Sequence, residues 1–387
     1  SKLPDTLQDI IRDPEKRRKL VVYINPPYAE AGDSKQLSGT GKNKTDVAVR
    51  TTVYKKYLNK IGIAGRELFA QFMIRIYDEL PTAVLAQFSK LKIVQAPNFR
   101  EFRRQFRAKP GRNFLVPANT FDNVKGQFPI GFFIWHTADR YDFNGMNADV
   151  YDYEGDFIGE KFIFCYDESM GNIGKWVNEL RDDNNETKLG FLSNGRNDFQ
   201  NQKLVYFINQ KSQMPTPRGW WITPTNITRA YIFIAVRHAI EASWLNDRDQ
   251  FLYPNAGWET DKEFQCDCLV YTLFSGSNNI QSQYGVNHWI PFTEDEVCAQ
   301  EKFESHFMSD YLKGKHTPST TPACAEGELF AQGQSQTDAP AAPKLQFSAE
   351  AQAVLDAGRE LWRYYHRQPI AKERPNASFY DIRLYFQ

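Results

Sequence analysis

The run Val21-Val22-Tyr23-Ile24-Asn25-Pro26-Pro27-Tyr28 decides how this chain is to be read. Its apolar, β-branched first half has the length and composition of a buried strand. Pro26 and Pro27 have no N–H to give to a ladder, so the strand stops there and a rigid turn begins. Asn25 precedes a proline and is driven to extended geometry, which holds its amide and the next carbonyls at the strand's carboxyl end. Ligands of open α/β sheets bind at that end.

Upstream, residues 1–19 are polar and charged, and Lys16-Arg17-Arg18-Lys19 leads straight into the strand. Downstream, Ala29 to Thr52 is a polar, glycine-containing stretch without apolar periodicity and reads as a long loop. Gly65 to Leu80 then repeats apolar residues at helical spacing until Pro81 stops it. Ala83 to Phe88 reads as a second strand, Pro97 to Arg107 as a helix, Asn113 to Pro117 as a third strand and Ile130 to Trp135 as a fourth. The turn Asp122 to Pro129 is too short for a helical crossover, so the last two strands form an antiparallel hairpin. An α/β fold is expected here, with a mostly parallel sheet and an antiparallel last strand.

Past Trp135 the chain turns acidic and aromatic, and a boundary is placed near 137. Residues 137–312 read as an α+β domain of short strands with a clear helix from Asn226 to Trp244. Residues 313–347 are rich in Pro, Thr, Ala, Gln and Gly and read as a flexible linker or loop. A helical segment closes the chain at 348–387, with its main helix over Ser348 to Arg367.

Composition bounds the partners. The 47 basic and 47 acidic residues cancel, so an electrostatic footprint for nucleic acid has to be local. One candidate stripe exists: Lys90, Lys92, Arg100, Arg103, Arg104, Arg107, Lys109 and Arg112 are opposed in sequence by Glu101 alone. Interleaved Phe99, Phe102 and Phe106 and the bias to arginine suit a phosphate backbone, although such a run also fits a solvated helix face. Five cysteines without a Cys-x-x-Cys pair argue against a disulfide framework, and six scattered histidines offer no metal-ligand spacing, so no metal is expected. No apolar run approaches bilayer length and the amino terminus does not resemble a secretory signal, so a cytoplasmic protein without a membrane partner is expected.

The chemistry of the opening turn is specific. Asn25 accepts through its side-chain oxygen and Pro26 through its carbonyl, so two acceptors can grip one exocyclic NH2 while Tyr28 stacks on the ring that bears it. Drawing both hydrogens out of conjugation localises the nitrogen lone pair for attack on an electrophilic methyl. Catalysis of this kind is orientation and electrostatic preorganisation.

Asn25-Pro26-Pro27-Tyr28 after a hydrophobic strand resembles the signature of S-adenosylmethionine-dependent amino-methyltransferases, most closely the adenine-N6 DNA methyltransferases of restriction-modification systems. The similarity covers roughly residues 20–135: Glu67-Leu68-Phe69 at a helix start, then strand, helix and a final hairpin, in the family's order. The resemblance implies a partial class I methyltransferase sheet, Rossmann-like, followed by a target-recognition domain that binds double-stranded DNA. It makes Asn25, Pro26, Pro27 and Tyr28 the catalytic turn, and Phe121, with Phe128 as substitute, the aromatic that sandwiches a flipped adenine opposite Tyr28. Arg100, Arg103, Arg104, Arg107, Lys109 and Arg112 become the DNA-contacting stripe. Base extrusion precedes such chemistry, and stacking offsets part of its cost.

One departure stands out. The family's cofactor half carries an acidic-or-Asn, Pro, aromatic, x-Gly-x-Gly turn, and nothing before Lys19 supplies it. Thr272-Leu273-Phe274-Ser275-Gly276-Ser277, the later candidate, lacks the acid and the second glycine. S-adenosylmethionine is therefore implied only by resemblance. The chain is expected to be the carboxyl-terminal part of an enzyme whose amino-terminal, cofactor-binding half is a missing partner, and to be inactive alone. RNA guanine-N2 and protein glutamine methyltransferases share the signature. A second class of reading is a non-catalytic DNA-binding or specificity module in which the turn is only structural.

Overall fold

The computed structural model describes residues 3–26, 49, 51–121, 124, 126–178, 186–209, 218–282, 286–315 and 345–387. The chain forms two compact units, one of residues 1–171 with 198–200 and 242–250, the other of the remainder.

In the first unit, helices α1 (Asp5–Arg12) and α2 (Pro14–Arg17) precede strand β1 (Val21–Ile24). Helix α3 (Thr52–Ile61) follows, where the sequence suggested only the end of a loop and an unassigned link. Thr51 caps it by accepting from the Tyr54 N–H, and Gly62, at φ 56°, stops it in a conformation that suits glycine. Helix α4 (Leu68–Glu79) buries Phe69, Ala70, Met73 and Ile74 on one face. Strand β2 (Val84–Lys90), helix α5 (Lys92–Gln95), helix α6 (Arg100–Gln105) and the short strand β3 (Ala108–Pro110) come next. Strands β4 (Phe114–Pro117), β5 (Pro129–Arg140), β6 (Gly145–Tyr151) and β7 (Phe157–Phe164) complete the sheet.

The sheet order is β1-β2-β5-β4-β6-β7, with β3 also paired to β5. β1 runs parallel to β2, while β5 is antiparallel to both β2 and β4. So β1, β2 and β4 share one direction and the expected antiparallel strand is inserted between two of them. β4 then pairs in parallel with β6, and β6 antiparallel with β7, so the whole sheet is more mixed than expected. The division placed after residue 136 falls inside β5, a continuous strand from Pro129 to Arg140, and the compact unit runs on through Gly171. The reason is that β6 and β7 hydrogen-bond into the same sheet.

Alternation gives this sheet two unlike faces. Val22, Ile24, Leu85, Leu115, Phe133, Trp135, Val150 and Ile163 turn to the main core, where α3, α4 and α6 cover them. Phenylalanines dominate that core: Phe69 stacks on Phe99 at 5.5 Å, and Phe106 meets Trp135 edge-on at 5.2 Å. The other face carries Phe88, Phe114, Phe121, Phe128 and Tyr151 around Val116, Ala118 and Ile130.

The second unit is built on a three-stranded antiparallel sheet, β8 (Gly190–Asn194) between β9 (Val205–Ile208) and β10 (Gly219–Ile222). Helix α7 (Ile173–Asn178) opens this unit, and the helix expected over 226–244 is the shorter α8 (Ile227–His238). It buries Arg237, which donates to the Arg196 carbonyl and places its guanidinium 4.7 Å from the Phe251 ring. The closing helix, expected over 348–367, spans Ala349–His366, capped by Ser348. Trp362 and Tyr365 from it enter a core with Ile290, Phe292 and Phe303. The linker expected at 313–347 lies mostly outside the described residues. No described helix is long and apolar enough to cross a membrane, and no group of three metal-ligating side chains occurs among the described residues.

Candidate active site

β1 ends at Ile24, and the chain leaves its carboxyl end through Asn25 and Pro26 as the proline pair requires. Burial alternates without a break from Val21 to Pro26, with odd positions exposed and Pro26 buried. Asn25 is thus exposed like Tyr23, and Pro26 is buried. Pro27 and Tyr28 lie outside the described residues.

Register supplies the neighbours. Tyr23 lies opposite Ala86 and Ile24 opposite Gln87, and Phe88 is the next residue of β2 beyond this register. Phe88 is the hub of an aromatic floor. Its ring lies 5.3 Å from Phe121, 4.9 Å from Phe132 and 6.1 Å from Phe114. Phe121, 96 residues along from Asn25 in the numbering, joins this floor through the Phe88 ring. Phe128 joins the same cluster, with the Arg248 guanidinium 5.5 Å above its ring. Phe88 and Phe132 went unnoticed in the sequence. The signal was there as aromatics at alternate positions of two strands, but only the register shows that they share a face.

A polar layer interrupts the otherwise apolar core of this unit. Glu67, 1% exposed, immediately precedes α4 and pairs with Lys92 just past the end of β2 at 2.5 Å. Gln71 donates to the Gly65 carbonyl at 2.7 Å and accepts from the Thr51 hydroxyl at 2.6 Å. These contacts tie the starts of α3 and α4 together. The unit thus holds an amide just past the end of β1, a braced pair of helix starts and an apolar aromatic surface on one sheet face. It suits a flat ring that carries a polar NH2.

The basic stripe is not opposed by Glu101 alone. Arg104 and Arg100 do pair with Glu101, at 2.8 and 3.3 Å. Arg107, however, makes a bidentate pair with Asp142 at 2.6 and 2.8 Å, and Arg112 pairs with Asp149 at 3.0 Å. Arg103 turns inward and donates to the carbonyls of Ile93, Ala96 and Tyr166, and burial lowers its pKa. Arg100, Arg104, Lys109 and Arg112 are exposed.

The later candidate for a cofactor turn does not fit one. Thr272, Leu273 and Phe274 form the last turn of helix α9 (Lys262–Phe274), with Thr272 and Leu273 buried and the Thr272 hydroxyl bonded to the Cys268 carbonyl at 2.9 Å.

No protein-family model matches the chain, and no curated protein sequence matches it. Solved structures similar to part of it include an ATP-dependent Type ISP restriction-modification enzyme, LlaBIII, bound to DNA, at 11% identity and a TM-score of 0.22, over 39% of this chain and 11% of that one. A DrdV–DNA complex is similar at 15% identity and a TM-score of 0.26, over 48% of this chain and 20% of that one. The chain thus spans no more than a fifth of either of those chains, and likeness at this level is too weak to carry an argument about fold or function.

Proposed function

We propose that the first unit is the base-gripping part of a DNA adenine-N6 methyltransferase of the restriction-modification type. The observation that supports this reading is that β1 ends at Ile24, immediately before Asn25 and Pro26, beside a strand whose Phe88 is in ring contact with Phe121. The mixed α/β sheet, in which β5 runs antiparallel to β2 and β4, supports a reading as part of a Rossmann-like methyltransferase sheet, with the helix over 52–61 and the short strand over 108–110 as additions to the expected order.

In this reading a flipped adenine enters with its edge towards Asn25. The Asn25 amide oxygen and the Pro26 carbonyl accept the two amino hydrogens, so the nitrogen lone pair points away from the ring plane. Phe121 and Tyr28 close on the two ring faces, and the apolar floor keeps water from competing for the amino group. S-adenosylmethionine supplies the methyl group in such chemistry. No described residue of this chain is assigned to hold it, and a cofactor-binding half is proposed to join along β1, which among the described strands pairs on one side only. The exposed arginines and lysine of the stripe, Arg100, Arg104, Lys109 and Arg112, are proposed to meet phosphates, and the second unit to read the target.

The test is reconstitution. Methyl transfer to duplex DNA is measured with a labelled donor after the chain is combined with a cofactor-binding half, and Asn25→Ala is compared with the parent. Loss of about a hundredfold or more in rate is expected, since one acceptor aimed at the reacting group is removed. Transfer that survives the substitution undiminished removes Asn25 from this role, and a parent that binds duplex DNA yet supports no transfer favours a DNA-binding module instead.

A further inference from the structure

We propose that the first unit holds a second binding site, a cavity along β7 that takes a pyrimidine base by an N–H and a neighbouring carbonyl. The proposal is independent of the reading of Asn25. The cavity measures about 140 Å³, and Gln95, Lys161, Phe162, Phe164 and Asp249 are among the residues that line it. All five belong to the first unit. Four consecutive residues of β7, Lys161 to Phe164, touch the cavity, and side chains of a strand alternate between its faces. The cavity therefore lies along the strand's edge, and among the described strands β7 pairs with β6 alone.

Its polar end is a chain of three side chains. Lys161 pairs with Asp249 at 2.5 Å and donates to the Leu245 carbonyl at 3.1 Å. The Gln95 amide nitrogen donates to the other oxygen of the same carboxylate. A carboxylate paired with an ammonium only accepts, so the Gln95 nitrogen has to face it and the Gln95 oxygen is the end left over. That oxygen is buried, in a residue 6% exposed, and has no hydrogen-bond partner. Lys161 has three N–H groups and spends two of them on Asp249 and Leu245. The cavity thus offers an unmet acceptor and a spare donor on either side of one carboxylate, with phenylalanines beside them. An unmet buried acceptor favours a ligand that brings an N–H to it. A dry cavity of about 150 Å³ holds a benzene ring, so one six-membered ring matches this space better than a fused pair.

The probe is uracil, and its affinity for the full chain is measured by titration calorimetry beside that of 1,3-dimethyluracil, which keeps the ring and both carbonyls and has no N–H. The parent is expected to bind uracil about tenfold more tightly or better, because only uracil meets the Gln95 oxygen. Gln95→Met keeps the side chain's bulk and is expected to bring the two compounds to near equality. Phe162→Ala, at an exposed position on the cavity wall, is expected to weaken both compounds alike. No heat with uracil means that water alone fills the cavity, and this overturns the proposal. Equal binding of the two compounds to the parent overturns it as well, as does a preference for uracil that outlasts both substitutions. Displacement of bound uracil by a short single strand with one thymidine, and not by the same strand with an abasic site, assigns the site to a base within a strand; no displacement assigns it to the free base.

Discussion

Lys92 and Glu67 form an ion pair of 2.5 Å between the segment just past β2 and the start of α4, with the carboxylate almost wholly out of water. Removing the lysine leaves that carboxylate buried opposite an apolar side chain. Lys92→Met is expected to destabilise the first unit by about 3–5 kcal/mol, and adding Glu67→Gln to recover part of the loss. Urea unfolding followed by circular dichroism measures both, and a double variant no more stable than Lys92→Met would contradict the account.

Arg103 and Arg104 are adjacent in sequence and opposite in duty. Arg103 donates to three backbone carbonyls, whereas Arg104 is exposed and forms a surface pair with Glu101 at 2.8 Å. Arg103→Ala is expected to cost about 3 kcal/mol of stability through lost charged hydrogen bonds. It should leave the salt dependence of DNA binding unchanged. Arg104→Ala is expected to change stability by less than about 1 kcal/mol and to lower the salt slope by roughly one unit, as the loss of one phosphate contact does. Melting curves and binding isotherms across salt concentrations decide between the two roles.

Acid should weaken the second unit through His366. Burial lowers its pKa from 6.5 to about 4. The unfolded chain thus binds a proton that the folded one resists, so stability is full above about pH 6.5 and falls as pH drops towards 4. The size is on the order of 3 kcal/mol, because the ring is 6% exposed and little screened. His366→Phe should flatten the slope between pH 6.5 and 4 in a series of urea titrations, and an unchanged slope would assign the effect to other groups.

Gly131 of β5 leaves no room for a side chain. A Cβ there would sit 2.3 Å from the Phe133 ring and 3.2 Å from Leu91, and Phe133 is fully buried and held by Trp135. Gly131→Ala is expected to cost about 1–3 kcal/mol by overpacking. A melt of the variant at the parent's temperature would show that the core yields more easily than these contacts imply.

Local patterning carried much of the first unit. The period of apolar residues before Pro81 marks α4, and the short span between Pro117 and Ile130 dictates the β4–β5 hairpin, because both are settled by neighbours in the chain. Helix α3 escaped notice because its start rests on the Thr51 cap at the end of a polar stretch rather than on a long apolar run. The acids that answer the basic stripe, Asp142 and Asp149, lie 35 and 37 residues from Arg107 and Arg112, beyond any local rule.

The sequence by itself determined the turn: proline chemistry ends β1 after Ile24 and holds Asn25 extended, whatever surrounds it. Only the tertiary structure decided what stands beside that amide. Insertion of β5 between β2 and β4, and the parallel register of β1 on β2, are long-range pairings whose choice depends on burying one face of every strand at once. That same choice gathers Phe88, Phe132 and Phe121 on the sheet face where Tyr23 meets Phe132, a grouping that no local rule contains.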